Sequence, residues 1–382
     1  MILKNFGKVL RKVVHLSAWG YCNRDFPFHQ FKRILKVLFA ALNWGLGHAT
    51  RCIPLIRALE ERGVEVVLAS DGVAKYLWQA EFPHLNVIKL PAYRIQYDSN
   101  NMVWNIARQL PRLVYAIRSE RRAMDALVEA NGITHIISDN RYGCFSKKAK
   151  SILITHQVHL KIPVVGLDWL VNQVLKRALS RFDEVWIPDQ AQLPHLAGSL
   201  SHPAPTQPPS RYIGILSRMQ SGPERSDYDV AIVLSGPEPQ RSLLERRLIE
   251  QAIALPYKFI VVQGRPKQSH HHFEAENVEV VSYLTSEALN QVLLGSSVVV
   301  CRSGYSSMMD LAVLGKKAIL IPTPGQTEQE YLAHHLAQQG LFVVQHQDQI
   351  LLEKALTEVH QTTGFRVGSF SEKQYLKVID SL

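Results

Sequence analysis

VVVCRSGYSSMMDLAVLGKKAILIPTPGQTEQEY, residues 298–331, is the stretch whose reading decides the fold. Val298 to Cys301 is a short β-branched run without charge, as a strand buried on both faces of a parallel sheet requires. Arg302-Ser303-Gly304 breaks the run, and Ser306, Ser307 or both are expected to cap a helix reaching about Leu314. Gly315 closes that helix, and Ala318 to Ile321 forms the next strand. Such a βαβ unit leaves a helix N-terminus, with unpaired amides and partial positive charge, at the carboxyl edge of the sheet, where a phosphate binds well. Asp310 follows one helical turn further in, and Gln326, Glu328, Gln329 and Glu330 crowd the turn after the next strand. Amides for phosphates and fixed acceptors for hydroxyls are what a nucleotide-sugar demands.

Working outward, 382 residues suggest two domains with ample core, and 46% hydrophobic with 20% charged residues is ordinary for a soluble chain. No apolar run approaches the ~18 residues of a membrane span. Cys22, Cys52, Cys144 and Cys301 have no motif spacing, which points to reduced thiols in a cytoplasmic protein. The net charge of +10 is concentrated at one end: residues 1–33 hold seven Lys/Arg against one Asp, a surplus of six that leaves +4 for the rest. That remainder argues against a nucleic-acid partner. Within 1–33, Lys4, Lys8, Arg11 and Lys12 alternate with Leu10, Val13, Val14 and Leu16. A basic amphipathic helix resting on the inner face of a membrane, a disordered leader, and a start placed too far upstream all remain open.

Ile34 to Leu42 is an apolar strand, followed by Asn43-Trp44-Gly45-Leu46-Gly47-His48 and a helix over about 49–62 that tolerates Pro54 early. Gly63 ends it and Val64 to Ala69 is the second strand, so a Rossmann-like domain opens here. Gly45-x-Gly47-x-x-Thr50 with Asp71 is an incomplete dinucleotide fingerprint, lacking its third glycine. The competing reading makes Gly45, Gly47 and His48 a loop facing an acceptor, where the imidazole takes a hydroxyl proton. Asn86 to Leu90 reads as a third strand, and a helical region interrupted near Pro111 carries Arg108, Arg112, Arg118, Arg121 and Arg122. These form either a solvated face or a dock for an acidic acceptor. Strands over 133–138 and 151–155 end in Asp139 and His156, at the crevice where open α/β sheets bind ligands. Asp139 joins His48 as a candidate base, and His156 as an acceptor-side residue.

Leu193 to Pro223 turns Pro/Ser-rich, as a connection between domains does. The expected organisation is therefore a leader (1–33), a first Rossmann-like domain (34–192), a linker (193–225), a second Rossmann-like domain (226–364) and a terminal helix (365–382) that returns to the first. In the second domain, Ser235 and Gly236 offer close backbone approach and Arg241 adds charge. Asp227-Tyr228-Asp229 precedes its strand, at the wrong edge of the sheet for a metal site, and His270-His271-His272 lacks ligand spacing. No metal and no organic cofactor is expected.

Cys301-Arg302-Ser303-Gly304, Asp310, Gly315, Pro322 and Gln329-Glu330 resemble the donor-site signature of the two-Rossmann-domain (GT-B) glycosyltransferases, in particular the family that adds N-acetylglucosamine to the lipid-linked peptidoglycan precursor. The resemblance implies two α/β domains facing across a cleft. It implies a ribose contact for Asp310 and sugar hydroxyls for Gln329 and Glu330; Ser303, Gly304, Tyr305 and Ser306 are further candidate donor-binding residues, the amides from Gly304 to Ser307 being expected to stabilise the departing diphosphate. This chain departs in carrying Asp310 for the family's Glu and Glu330 for a second Gln. Retaining enzymes of this architecture commonly carry Glu eight residues before the ribose acid, where Arg302 stands. An inverting, metal-independent transfer from a nucleotide-diphosphate sugar, UDP foremost, to a saccharide or lipid-linked acceptor is the expectation. A nucleotide-sugar 2-epimerase and a non-catalytic nucleotide-sugar-binding subunit are the alternatives.

Overall fold

The computed structural model describes residues 35–93, 102–160, 167–223, 225–266, 268, 270–370 and 373–382, with the backbone alone over 102–111 and 167–168. The described residues open with β1 (Lys36–Ala41), α1 (Gly47–Glu61), β2 (Glu65–Ser70), α2 (Gly72–Glu81), β3 (Val87–Lys89), α3 (Met102–Asn131), β4 (His135–Asp139), β5 (Lys150–Ile154), α4 (Leu167–Leu179), β6 (Glu184–Ile187) and β7 (Ser210–Tyr212). These strands form a seven-stranded parallel sheet ordered β3-β2-β1-β4-β5-β6-β7.

The second half runs β8 (Tyr228–Val233), α5 (Gln240–Ile253), β9 (Phe259–Val262), β10 (His271–Ala275), β11 (Val278–Val281), α6 (Ser286–Leu294), β12 (Ser296–Cys301), α7 (Tyr305–Leu314), β13 (Lys317–Leu320), α8 (Thr327–Ala337), β14 (Val343–Val344), α9 (Leu352–Glu358) and α10 (Gln374–Ile379). Its sheet is also seven-stranded, ordered β10-β11-β9-β8-β12-β13-β14, and parallel except at β10. The architecture is thus two Rossmann-like α/β units.

Alternation along β1 shows how each sheet is covered. Val37, Phe39 and Ala41 pack with Ile53, Ile56 and Leu59 of α1 and Leu77 and Trp78 of α2. Leu38 and Ala40 face the other way, against Met124 and Val128 of α3. Register carries that second face along the sheet, because Leu38 pairs with Ile136 and Ser138 with Leu153. Leu153 packs with Leu175 and Leu179 of α4. Hence α3 and α4 cover one face of the first sheet and α1 and α2 the other, as right-handed crossovers require.

Several details differ from the sequence expectation. The Pro-rich connector holds β7, three residues too short and polar to announce a strand. The histidine run enters β10, an antiparallel edge strand on which His271 and His272 pair with Glu279 and Glu274. Helix α3 continues through Pro111, because one lost backbone hydrogen bond need not end a helix of 30 residues. Helix α7 is capped by Gly304 and not by Ser306 or Ser307, while Gly315 ends it at φ +64°. Helix α8 starts at Thr327, so Gln329 and Glu330 belong to its first turn. Helix α10 returns to the first sheet's helices, with Arg62 bonded to Asp380 at 2.5 Å.

Candidate functional site

In each sheet the strand order reverses once, between β1 and β4 in the first and between β8 and β12 in the second. Open α/β sheets bind ligands outside the carboxyl ends of strands at such points. In the first sheet the turn after β1 carries Gly45, Gly47 and His48, β4 ends in Asp139, and β5 leads to His156.

These residues meet. His48 Nδ1 lies 2.7 Å from Asp139 Oδ1. Arg51, one helical turn after His48, grips the same carboxylate with Nε and Nη2 at 2.5 Å each. Burial alone would push the Asp139 carboxyl up, but Arg51 and His48 overcome it and hold it at about 2. A carboxylate can only accept, so His48 Nδ1 carries the hydrogen of this bond, and in the neutral imidazole the lone pair then sits on Nε2. No described residue bonds that nitrogen.

A second branch crosses between the two halves. Arg51 Nη1 donates to His156 Nδ1 at 3.2 Å, and His156 Nε2 donates to Glu328 Oε1, in the first turn of α8, at 2.8 Å. Burial lowers the His156 pKa and outweighs the opposing pull of Glu328, so the ring stays neutral with the tautomer its two partners dictate. Glu328, also bonded by Gln157, is held below the usual carboxylate range: burial pushes it up, and His156, His48 and Arg51 pull it further down. Tyr305 stacks on His156 at 4.0 Å and donates to Pro188 O at 2.5 Å. Ser306 Oγ donates to Gly47 O at 2.8 Å. The loop before α1 and the N-terminus of α7 therefore face each other across a narrow gap.

On the second sheet, α7 begins without a side-chain cap, and its first amides are open for an anion. A Cβ on Gly304 would meet nothing within 4 Å, so the approach is clear. Asp310 accepts from Ser217 Oγ at 2.5 Å, and burial pushes its carboxyl up to about 6 against the opposing effect of Arg218 and Ser217. Ser235 and Gly236, the latter at φ +105°, stand after β8 beside Arg302 and Thr323.

Three expected donor contacts have their polar atoms engaged within the protein, and a fourth, Arg302, has all but its Nε engaged. Arg241 is spent on Glu238, Glu245 and the Gln263 carbonyl, because the prolines around it turn the loop back on the α5 N-terminus. Arg302 is fully buried and donates to Ile321 O, Pro322 O, Gln240 O and Gln347 Oε1, bracing three loops. No carboxylate is among these partners, and burial lowers its pKa to about 10. Tyr305 is buried as described. The Gln329 amide is spent on Thr323 N at 2.8 Å and Gln326 Oε1 at 2.5 Å, while its carbonyl accepts from Ser303 Oγ. Glu330 keeps one oxygen beyond its bond to Gly325 N at 3.0 Å.

The dinucleotide alternative loses its ribose acid, since Asp71 is bonded by Arg141 at 2.6 Å and by Asn43 at 3.1 Å. Arg141 also holds Glu120 at 2.5 Å, forming a buried network that fixes the loop after β4. Sequence placed Glu328 only among the polar residues of the turn after β13, with no role of its own, and did not single out Arg51, Ser217 or Arg218. Of these, Arg51 alone had a local signal, its i+3 spacing from His48.

The chain matches the family model described as glycosyltransferase family 28 C-terminal domain over residues 242–365. It is similar to an uncharacterised glycosyltransferase of Methanopyrus kandleri, 22% identical over 346 residues that cover 81% of this chain and 92% of that one. It is also similar to the UDP-N-acetylglucosamine--N-acetylmuramyl-(pentapeptide) pyrophosphoryl-undecaprenol N-acetylglucosamine transferase of a Methylobacterium species, 26% identical over 316 residues, covering 78% and 79%. Among solved structures, SnogD of Streptomyces nogalater aligns at TM-score 0.56 and 15% identity, covering 91% of this chain and 99% of that one. MurG of Acinetobacter baumannii aligns at 0.53 and 12%, covering 91% and 100%.

Proposed function

We propose that this chain, which is a two-Rossmann-domain glycosyltransferase similar to MurG and served by a nucleotide-sugar donor, transfers a hexose or N-acetylhexosamine from a UDP-sugar to a hydroxyl of a saccharide or lipid-linked acceptor, with inversion and without a metal. The observation that carries the reading is the 2.7 Å pair of His48 and Asp139, with Arg51 pinning the carboxylate.

In this reading Nε2 of His48 takes the acceptor hydroxyl's proton while the oxygen bonds the anomeric carbon. The bond from that carbon to the diphosphate oxygen breaks, and its electron pair leaves with the nucleoside diphosphate. The open amides of Ser306 and Ser307 receive the leaving group. Arg302 contributes as a buried charge without a carboxylate partner, not as a direct ligand. Asp310 accepts from the ribose, and Glu330 takes a sugar hydroxyl. Inversion is favoured because Arg302 stands where a retaining enzyme of this architecture carries its acid. A 2-epimerase would need a free acid in the first domain, whereas Asp71 and Asp139 are both committed to arginines.

The test is thermal unfolding in the presence of UDP, GDP, dTDP, CDP and NAD, each with and without a divalent cation. A bound ligand at a hundredfold excess over its dissociation constant adds about 2.7 kcal/mol of apparent stability. UDP alone is expected to stabilise the protein, equally with and without the cation, and Asp310→Ala removes the effect. Stabilisation by NAD alone contradicts the reading.

A further inference from the structure

We propose that Glu81, the last residue of α2, is a positioning residue of the donor site: through Ser286 and Arg218 it fixes the wall beside Asp310 and sets how much of the Arg218 charge that acid receives. The inference rests on the reading of Asp310 as the ribose acid.

A carboxylate in the last turn of a helix meets the negative end of that helix's dipole, so α2 itself gives Glu81 no support. Its side chain is nonetheless only 4% exposed. The support comes from Ser286, 205 residues on, which opens α6. Both the amide and the hydroxyl of Ser286 donate to Glu81 Oε1, at 2.9 and 2.5 Å. That amide is one of those a helix start leaves open, and an anion there is favoured. Ser286 Oγ in turn accepts from Arg218 Nη1 at 3.3 Å, and the same nitrogen lies 3.9 Å from Glu81 Oε1. Arg57 of α1 donates to the other oxygen, Oε2, at 3.1 Å.

Arg218 thus serves two acids. Its neighbour Ser217 donates to Asp310 Oδ1 at 2.5 Å. Burial holds the proton on Asp310, and Arg218 is the charge that opposes it. The other titratable groups here are Cys301 at the end of β12, whose thiol burial pushes up to about 12, and Tyr283 after β11, whose phenol burial also pushes up. Both stay uncharged near neutrality. Arg218 Nε and the Tyr283 hydroxyl are buried without a hydrogen-bond partner among the described residues. A purely structural contact would have satisfied them; a wall that waits for a ligand leaves them open.

The consequence is electrostatic. Glu81 draws on the guanidinium that Asp310 needs, and it is also a like charge to Asp310. Both effects keep Asp310 protonated to higher pH. Without the Glu81 charge, Asp310 ionises at lower pH, and the ribose acceptor forms over a wider range.

The experiment has two arms. In the first, stability to urea between pH 3.8 and about 6 is measured for wild type, Asp310→Asn, Glu81→Gln and the double variant. Glutamine keeps an acceptor for both Ser286 donors and removes only the charge. The difference between each protein and its Asp310→Asn counterpart isolates what Asp310 contributes. In wild type that contribution declines as pH rises through the window, because the folded chain keeps a proton that the unfolded chain has released. With Glu81→Gln the decline ends about one pH unit lower. In the second arm, UDP binding to wild type and Glu81→Gln is titrated by calorimetry across and above the window. The midpoint near 6 moves down by the same unit. Relative to its own plateau at high pH, the variant therefore binds on the order of tenfold more tightly below both midpoints. An Asp310 contribution identical in the two backgrounds overturns the proposal. So does a loss of UDP affinity with an unmoved midpoint, which would make Glu81 a structural prop alone. Failure of UDP to bind wild type would refute the reading of Asp310 as a ribose acid, and the urea comparison would still decide whether Glu81 governs its charge.

Discussion

Replacing Asp139 by Asn separates the two things that residue does. The carboxyl is fully buried between His48 and Arg51, and its pKa falls from 3.8 to about 2. That difference corresponds to about 2 kcal/mol of native-state stabilisation in the ionised form. The sign follows from the depressed value: the contribution is complete above 3.8 and is lost as pH falls through about 2. The amide substitution also strands Arg51, 2% exposed, without its counter-charge, and breaking a buried pair in this way costs about 3–5 kcal/mol. Stability to urea at pH 7 is therefore expected to drop by that larger amount. Because Arg51 also reaches His156, part of the loss is expected as looser attachment of α8, read from hydrogen exchange. Activity falls for a different reason. An amide can turn its NH2 toward His48 Nδ1, which selects the tautomer with Nε2 protonated and abolishes the base. A general base is worth about 10²–10⁴ in rate, and kcat is expected to fall within that range. His48→Ala serves as the control, losing the same rate with little change in urea stability, and the double variant is no slower than either single one. An Asp139→Asn protein with the wild-type urea midpoint and wild-type kcat would refute the arrangement.

Asp310→Asn is expected to weaken binding of the nucleoside diphosphate and to remove its pH dependence. In wild type, titrated by calorimetry, affinity rises as pH rises through about 6, where the carboxylate forms. The same group lowers folding stability between 3.8 and about 6, since only the unfolded chain has released its proton there, and a urea series across that window measures the slope. Arg241→Ala is expected to leave donor affinity unchanged and to lower the unfolding temperature, because its charge is already spent on Glu238 and Glu245. Glu328→Gln removes the charge that joins α8 to His156 and Gln157, and is expected to reduce kcat several-fold while the donor dissociation constant holds.

The βαβ rhythm was readable because buried parallel strands are short β-branched runs and glycines such as Gly315 mark helix ends. Strands β7 and β10 escaped because edge strands carry no such signal: one is Ser-Arg-Tyr, the other begins in histidines. The site was readable one residue at a time. His48, Asp139 and His156 each fall at a strand's carboxyl edge, a position that sequence reveals. That Arg51 would tie all three together depends on the order of β1, β4 and β5 in the sheet, which local spacing does not encode. Charge is similarly blind to partners. A sequence shows that Arg241 and Arg302 are cationic, but not that a glutamate four residues on takes the one, or that backbone carbonyls and the Gln347 side chain take both terminal nitrogens of the other. Glu328 was passed over for its neighbours Gln329 and Glu330, yet it is the one whose partners lie across the gap.

The most direct measurement is single-turnover sugar transfer by His48→Ala beside wild type, with donor occupancy measured in the same samples. A base acting from Nε2 predicts full donor occupancy with transfer slower by about 10²–10⁴. Transfer at the wild-type rate with the donor bound would contradict it.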